Sequence, residues 1–277
     1  MNKPVYKLLD WININNIDWD YLSRNENAIE LLRENQDKIN WRYLSYNPSA
    51  IDLLRENQDK INWDNLSTNE SYEAIKLLKE NPDKINWFLL SLNKSAIELL
   101  KENQDKIDWT YLSINESYGA VKLLKENPDK IDWVNLSYNN HKEAIELLKE
   151  NPNKISWYYL SLNTSAIDIL KQNPDKINWS NLSFNSSAID ILKQNPDKIN
   201  WDSLSSNKNA MDILRENQDK IDWDNLSKNK AIFTLDFEKM RKNFEQMEEE
   251  ILKNVLHPRK VMRNLELFGY DVDEMFD

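Results

Sequence analysis

The sequence contains no cysteine, so it can form no disulfide, present no thiol nucleophile and build no cysteine-ligated metal site. It has two histidines, His141 and His257, and two glycines, Gly119 and Gly269. Two distant histidines without a thiol make no zinc site. So little glycine leaves no phosphate-cradling loop. No apolar run approaches the ~20 residues a membrane-spanning helix needs. The opening stretch, "MNKPVYKLLDWININN", has no apolar core and no small-residue cleavage motif. It does not read as a signal peptide, and the expected setting is an intracellular fluid.

Charge is what the chain has in excess. Of its 277 residues 30% are charged, and the net charge is -11. An acidic chain is poorly suited to nucleic acid or to an anionic membrane, so neither is expected as a partner.

The second abundance is tryptophan at regular intervals. Trp recurs at 19, 41, 63, 87, 109, 133, 157, 179, 201 and 223, every 22 or 24 residues. That period belongs to short solenoid repeats. The unit reads W-x-x-L-S-x-N-x-x-A-I-x-L-L-K-E-N-P-D-K-I-N, and three units carry two extra residues before the Ala: "NESYEAIKLL", "NESYGAVKLL" and "NNHKEAIELL". An insertion there lengthens a loop or a helix start and keeps the Trp and Leu columns in register. The spacing predicts two helices per unit. In "NPSAIDLLREN" (47–57), Ala50, Ile51, Leu53 and Leu54 share one apolar face, with Asn47 as N-cap and Pro48 at the first helical position. "INWDNLST" forms a shorter element, α or 3-10, capped by Asn62.

Each repeated polar residue has an expected job. The column Asn35, Asn57, Asn81 through Asn217 is expected to take the left-handed conformation that ends a helix where glycine is scarce. A second column, Asn25 through Asn229, is expected to cap helix starts and to form a ladder along the stack. The Trp column is expected to fill the wedge between units, with Trp133 fully packed. Lys38 through Lys220 sit beside acidic columns and read as a solvated, salt-bridged face rather than a phosphate track.

The expected class is therefore an all-α solenoid of about ten short two-helix repeats. Residues 1–18 read as a degenerate N-terminal capping repeat, with Leu8, Leu9, Trp11 and Ile17 echoing the core columns. Residues 19–230 form the helical-repeat solenoid. Residues 231–277 form a C-terminal helical cap with an acidic tail, or alternatively a partner-binding tail. Within it, residues 231–256 read as one amphipathic helix, and a second runs from Pro258 to Gly269.

"NPSAIDLLRENQDKINWDNLS" and the closing "HPRKVMRNLELFGYDVD" resemble the short Trp/Leu/Asn helical-repeat proteins that giant DNA viruses of amoebae (mimivirus-like) encode in many copies. The resemblance covers nearly the whole chain and implies no catalytic residues. It implies a host-cytoplasmic setting, with virion association as a further possibility.

No catalytic constellation can be assembled. The repeated serines lack a recurring histidine partner, and "DVDEMFD" is too short and lacks the glycine of a calcium loop. No catalytic residue, cofactor or metal ligand is expected. The expected function is a non-catalytic protein-protein interaction scaffold, with a self-assembling structural or virion-packaged component as the alternative and a homodimer as one candidate assembly. In each short helix the residue after Trp and the residue after Ser lie four apart and share an outward face. These pairs are polar at the ends of the array and largely apolar or aromatic in its middle. The candidate partner-binding residues are Phe88, Leu92, Ile114, Tyr138, Tyr158, Leu162 and Phe184.

Overall fold

The structure, a computed structural model, describes residues 6–9, 11–233 and 236–254. By internal contact the chain divides into two compact units, Met1–Leu226 and Ser227–Asp277. Among the described residues all regular structure is helical.

The first unit is an all-α solenoid. Each repeat opens with a Trp helix of four to six residues, such as Trp63–Ser67. Such a helix is far too short to persist alone, and its ends are closed by side chains. Asn62 Oδ1 accepts from the Asn65 backbone N–H at 2.9 Å, and the Ser67 hydroxyl donates to the Trp63 carbonyl at 2.8 Å. The element is α. The 3-10 turn lies instead at the end of the repeat, as in Pro82–Lys84.

The Leu helix comes second, and its length depends on the unit. In the 22-residue units it runs six residues, as in Ile51–Glu56, preceded by Ala50 with no side-chain cap. Asn47 is therefore not its N-cap. Asn47 Oδ1 accepts from Ser49 N–H at 3.0 Å and stabilises the turn before the helix, which also contains Pro48. In the 24-residue units the helix runs nine residues, as in Tyr72–Glu80, capped by Ser71; Ser117 and His141 cap the other two. The insertion thus adds helix rather than loop. His141 acts as a cap, its Nδ1 accepting from Glu143 N–H at 3.2 Å.

The asparagines that end the Leu helices are not left-handed. Their φ lies between -128° and -135° from Asn35 to Asn217. What the position uses is the side-chain amide. Asn57 Nδ2 donates to the Leu53 carbonyl at 3.1 Å, Asn127 to Leu123 at 3.0 Å and Asn173 to Ile169 at 2.8 Å. Each amide satisfies a carbonyl that the helix end would otherwise leave open.

Successive Trp helices pack on one another, and so do successive Leu helices, giving two rows. Between the rows, each repeat contributes one core layer. Leu66, Ala74, Leu77 and Leu78 are buried, and the same columns are buried along the array, with Ile85 and its equivalents beside them. A buried Leu contributes about 1.5–3 kcal/mol. The Trp column from Trp19 to Trp201 is only half-buried against this core, and Trp223 is exposed. Lysine ammonium groups lie over some of the rings: Lys38 over Trp19 at 4.8 Å, Lys60 over Trp41 at 4.6 Å and Lys220 over Trp201 at 4.7 Å. Leucine, not tryptophan, fills the space between rows.

Two buried polar ladders join the layers. Asn47 through Asn207 form the first, as the sequence of that column suggests. Asn139 Nδ2 donates to the Ser113 carbonyl at 3.0 Å and the Asn115 carbonyl at 3.1 Å, both in the preceding repeat. Asn93, Asn163, Asn185 and Asn207 make the same pair of bonds one rung away. The serine column forms the second. Ser113 Oγ donates to the Trp109 carbonyl at 2.7 Å and accepts from the Asp132 backbone N–H of the next repeat at 3.0 Å. Among the described residues no buried side-chain polar atom lacks a partner.

Among the described residues before the first repeat there is one 3-10 turn, Ile14–Asn16. Leu8 and Ile17 are half-buried, whereas Leu9 and Trp11 are exposed. Among the described residues of the second unit, a 3-10 turn at Lys230–Ile232 precedes the helix Phe237–Asn254, so the amphipathic helix starts six residues later than its pattern suggests. The helix expected from Pro258 to Gly269 lies outside the described residues.

Candidate functional site

The outward face of the Trp helices carries the candidate binding residues. Of the seven, Phe88 (44%), Tyr138 (46%), Tyr158 (55%) and Phe184 (54%) are exposed. Leu92, Ile114 and Leu162 are half-buried and form the floor of the same surface. Val134, which follows Trp133, is exposed as well.

Neighbouring repeats bring a third column into this surface, the residue two after Trp. Tyr111 lies against Phe88 with ring centroids 3.8 Å apart. Tyr159 meets Tyr138 edge-on at 6.5 Å and Tyr158 at 5.1 Å. Where this column holds Asn, the amide reaches back one repeat instead. Asn65 Nδ2 donates to the Arg42 carbonyl at 2.7 Å and Asn181 Nδ2 to the Tyr158 carbonyl at 2.8 Å. The column therefore ties repeats together, by a ring or by an amide. Helical spacing within one repeat does not reveal it, because its contact belongs to the repeat before. The recurrence of Tyr and Asn at one register was the available signal.

The result is a band of five repeats with no charged residue in its three outward columns. It runs through Phe88, Leu89 and Leu92; Thr110, Tyr111 and Ile114; Val134, Asn135 and Tyr138; Tyr158, Tyr159 and Leu162; and Ser180, Asn181 and Phe184. Charge bounds it at both ends. Arg24 stacks 5.5 Å from the Tyr43 and Tyr46 rings, Asp64 accepts from Asn86 Nδ2 at 2.7 Å, and Asp202 and Asp224 follow the last members.

The Leu-helix row has the opposite character. Four of its cations pair with carboxylates one repeat on: Arg33 with Glu56 at 2.7 Å, Arg55 with Glu80, Lys79 with Glu102 at 2.7 Å and Lys125 with Glu143 at 2.6 Å. Hydrogen bonds from these cations hold the Glu56, Glu80 and Glu143 carboxyls below the usual carboxylate range. Burial opposes ionisation of Glu116, yet hydrogen bonds from Asn140 and Lys94, each 3.2 Å away, outweigh it and lower its pKa. Such exposed pairs contribute little each. Beside Tyr72 and Ile75 the row has an open depression of about 210 Å³, rimmed by Lys79 and Glu102, whose charges already pair.

Several asparagines in N-x-S/T sequons belong to the ladders or to the third column. Asn65, Asn93 and Asn185 are buried, with their amides engaged, so none can carry a glycan in the folded chain. Among the described residues there is no group of three or more His, Asp or Glu that could hold a metal ion, and no helix long and apolar enough to cross a membrane. Compared with protein-family models, curated proteins and solved structures, the chain has no match.

Proposed function

We propose that the chain is a non-catalytic protein-protein interaction scaffold that binds a protein partner on the uncharged band of its Trp-helix row. One observation carries the reading: five consecutive repeats present aromatic and aliphatic side chains with no charge among them, on a chain whose other row carries ion pairs between repeats. Contiguous exposed apolar surface on this scale marks interaction sites. Phe88, Val134, Tyr138, Tyr158, Tyr159 and Phe184 are each about half exposed. At on the order of 200 Å² per aromatic side chain they offer on the order of 500–600 Å² of contact. With the half-buried floor this approaches the ~800 Å² per partner of a standard interface.

The partner fitting this surface offers apolar anchors at its centre. Nucleic acid fits poorly, because the chain carries a net charge of -11 and the band itself has no cation. The likeness to giant-virus repeat proteins extends the reading to a viral chain that captures a host or viral protein in the host cytoplasm. A self-assembling or virion-packaged component is the second reading, and light scattering separates the two: a particle that grows into filaments or large assemblies supports self-assembly.

Capture by three forms of the full chain tests the proposal. Tyr138→Ser with Tyr158→Ser and Phe184→Ser should lose the partner while melting close to wild type. Arg55→Ser with Lys79→Ser, on the opposite row, should keep it. A partner held by the band variant and lost by the opposite-row variant would refute the assignment.

A further inference from the structure

The helix Phe237–Asn254, at 18 residues, is the longest of the described elements. It opens with Asp236, whose Oδ1 accepts from Lys239 N–H at 2.9 Å. Phe237, Met240, Phe244 and Met247 follow at spacings of 3, 4 and 3, and all four are about half to two-thirds exposed. Residues at that spacing form one stripe along a helix, the seam by which two helices pair.

The charges on this helix are divided between its halves. Residues 237–244 hold Lys239, Arg241 and Lys242 against Glu238, a net +2. Residues 245–254 hold Glu245, Glu248, Glu249 and Glu250 against Lys253, a net -3. An isolated helix is stabilised by the reverse order, acids at the N-terminus and bases at the C-terminus. The ion pair within the helix, Arg241 to Glu245 at 3.6 Å, is exposed and runs in the less favourable i to i+4 direction. The helix's own stability therefore does not explain the order of its charges. A neighbour explains it: the same helix laid antiparallel sets basic half against acidic half twice over, and a parallel copy sets like charge against like.

We propose that Phe237–Asn254 pairs antiparallel with the same helix of a second copy, through the stripe of Phe237, Met240, Phe244 and Met247, so that the chain forms a homodimer. At about 200 Å² per large side chain the stripe supplies on the order of 400–500 Å² per partner. That is below the ~800 Å² of a standard interface, so the dimer is a weak one whose population follows concentration. This proposal rests on none of the residues of the uncharged band, and the two proposals stand or fall independently.

Sedimentation equilibrium of the full chain over about 1–200 μM reads the outcome. Wild type should rise toward twice its monomer mass. Lys239→Glu with Arg241→Glu and Lys242→Glu should remain monomeric, as should Glu248→Lys with Glu249→Lys and Glu250→Lys. An equimolar mixture of the two should recover the dimer mass, with helical circular dichroism retained throughout. The band variant Tyr138→Ser, Tyr158→Ser, Phe184→Ser should dimerise as wild type does. The proposal is overturned if wild type stays monomeric, if the reversed variants associate alone, if their mixture does not, or if the band variant is the one that loses dimerisation. It is equally overturned if Phe244→Ser with Met247→Ser lowers the melting temperature of a monomer, for then the stripe is covered within one chain.

Discussion

Replacing Asn139 by alanine removes three hydrogen bonds from the middle of the asparagine ladder. The Asn139 amide gives up its bonds to the Ser113 and Asn115 carbonyls, and the His141 backbone N–H loses its acceptor, which it reaches at 2.9 Å. Asn139 is fully buried, so water does not readily replace the lost partner. Three bonds at about 1 kcal/mol each give about 3 kcal/mol, rising toward about 5 if the carbonyls stay dry. Asn127→Ala is the control of the same chemistry. It loses one side-chain bond, to the Leu123 carbonyl, at a half-buried helix end, and should cost about 1 kcal/mol. Asn139→Asp is the second control. It keeps the acceptor for His141 but turns a carboxylate toward two carbonyls, so it should cost more than alanine at neutral pH and less in acid. Urea unfolding followed by circular dichroism measures all three. In a stack bound only through neighbours, a weakened central rung also loosens cooperativity, so the Asn139→Ala transition should broaden or split. Equal costs for Asn139→Ala and Asn127→Ala would refute the view that the ladder bears the stack.

Trp133→Ala should cost about 2 kcal/mol in the same assay, below the 3–5 kcal/mol of a fully buried aromatic, because its ring is only half-buried; a loss above about 4 kcal/mol would return Trp to the core. Gly119 sits in a nine-residue helix where an added Cβ would lie 2.6 Å from Ile97 Cγ2. Gly119→Ala should therefore lower stability by about 1 kcal/mol despite the ~1 kcal/mol gained in helix propensity, and should raise it in an Ile97→Ala background. A double-mutant cycle without that change of sign would show the contact to be soft. Acid should weaken the fold in a set direction. Glu56, Glu80, Glu116 and Glu143 have folded pKa values below their ordinary 4.5, so their contribution is complete above that value and lost as pH falls through the lower folded values. Melting temperature should be flat from neutral pH to about pH 5.5 and fall below about pH 4.5, with the fall reduced in Glu80→Gln; an equal decline in Glu80→Gln would remove the Arg55 pair from the account.

The repeat, its helices and its leucine core are legible in the sequence because each depends on spacing within one unit. Ala50, Ile51, Leu53 and Leu54 reveal their shared face without reference to any other repeat. What spacing inside a unit cannot show is the work done across units. Two asparagine columns look alike as letters, yet Asn127 donates four residues back along its own helix and Asn139 donates one repeat back. A scarcity of glycine suggests left-handed asparagines, and the backbone shows that the amide mattered, not the φ. Tryptophan misleads for a similar reason: its size suggests burial, but it packs one side on the core while a lysine stem can cover the other. The candidate band divides the same way. Phe88 and Leu92 are found by helical spacing, whereas Tyr111 and Tyr159 join the surface only because their rings meet residues of the preceding repeat. Once a period is known, every column has a neighbour at one period's distance. Asking what each side chain could donate to, or stack on, at that distance would have separated the two asparagine columns and found the third column of the band. In a solenoid the contact that matters is as often one period away as one turn away.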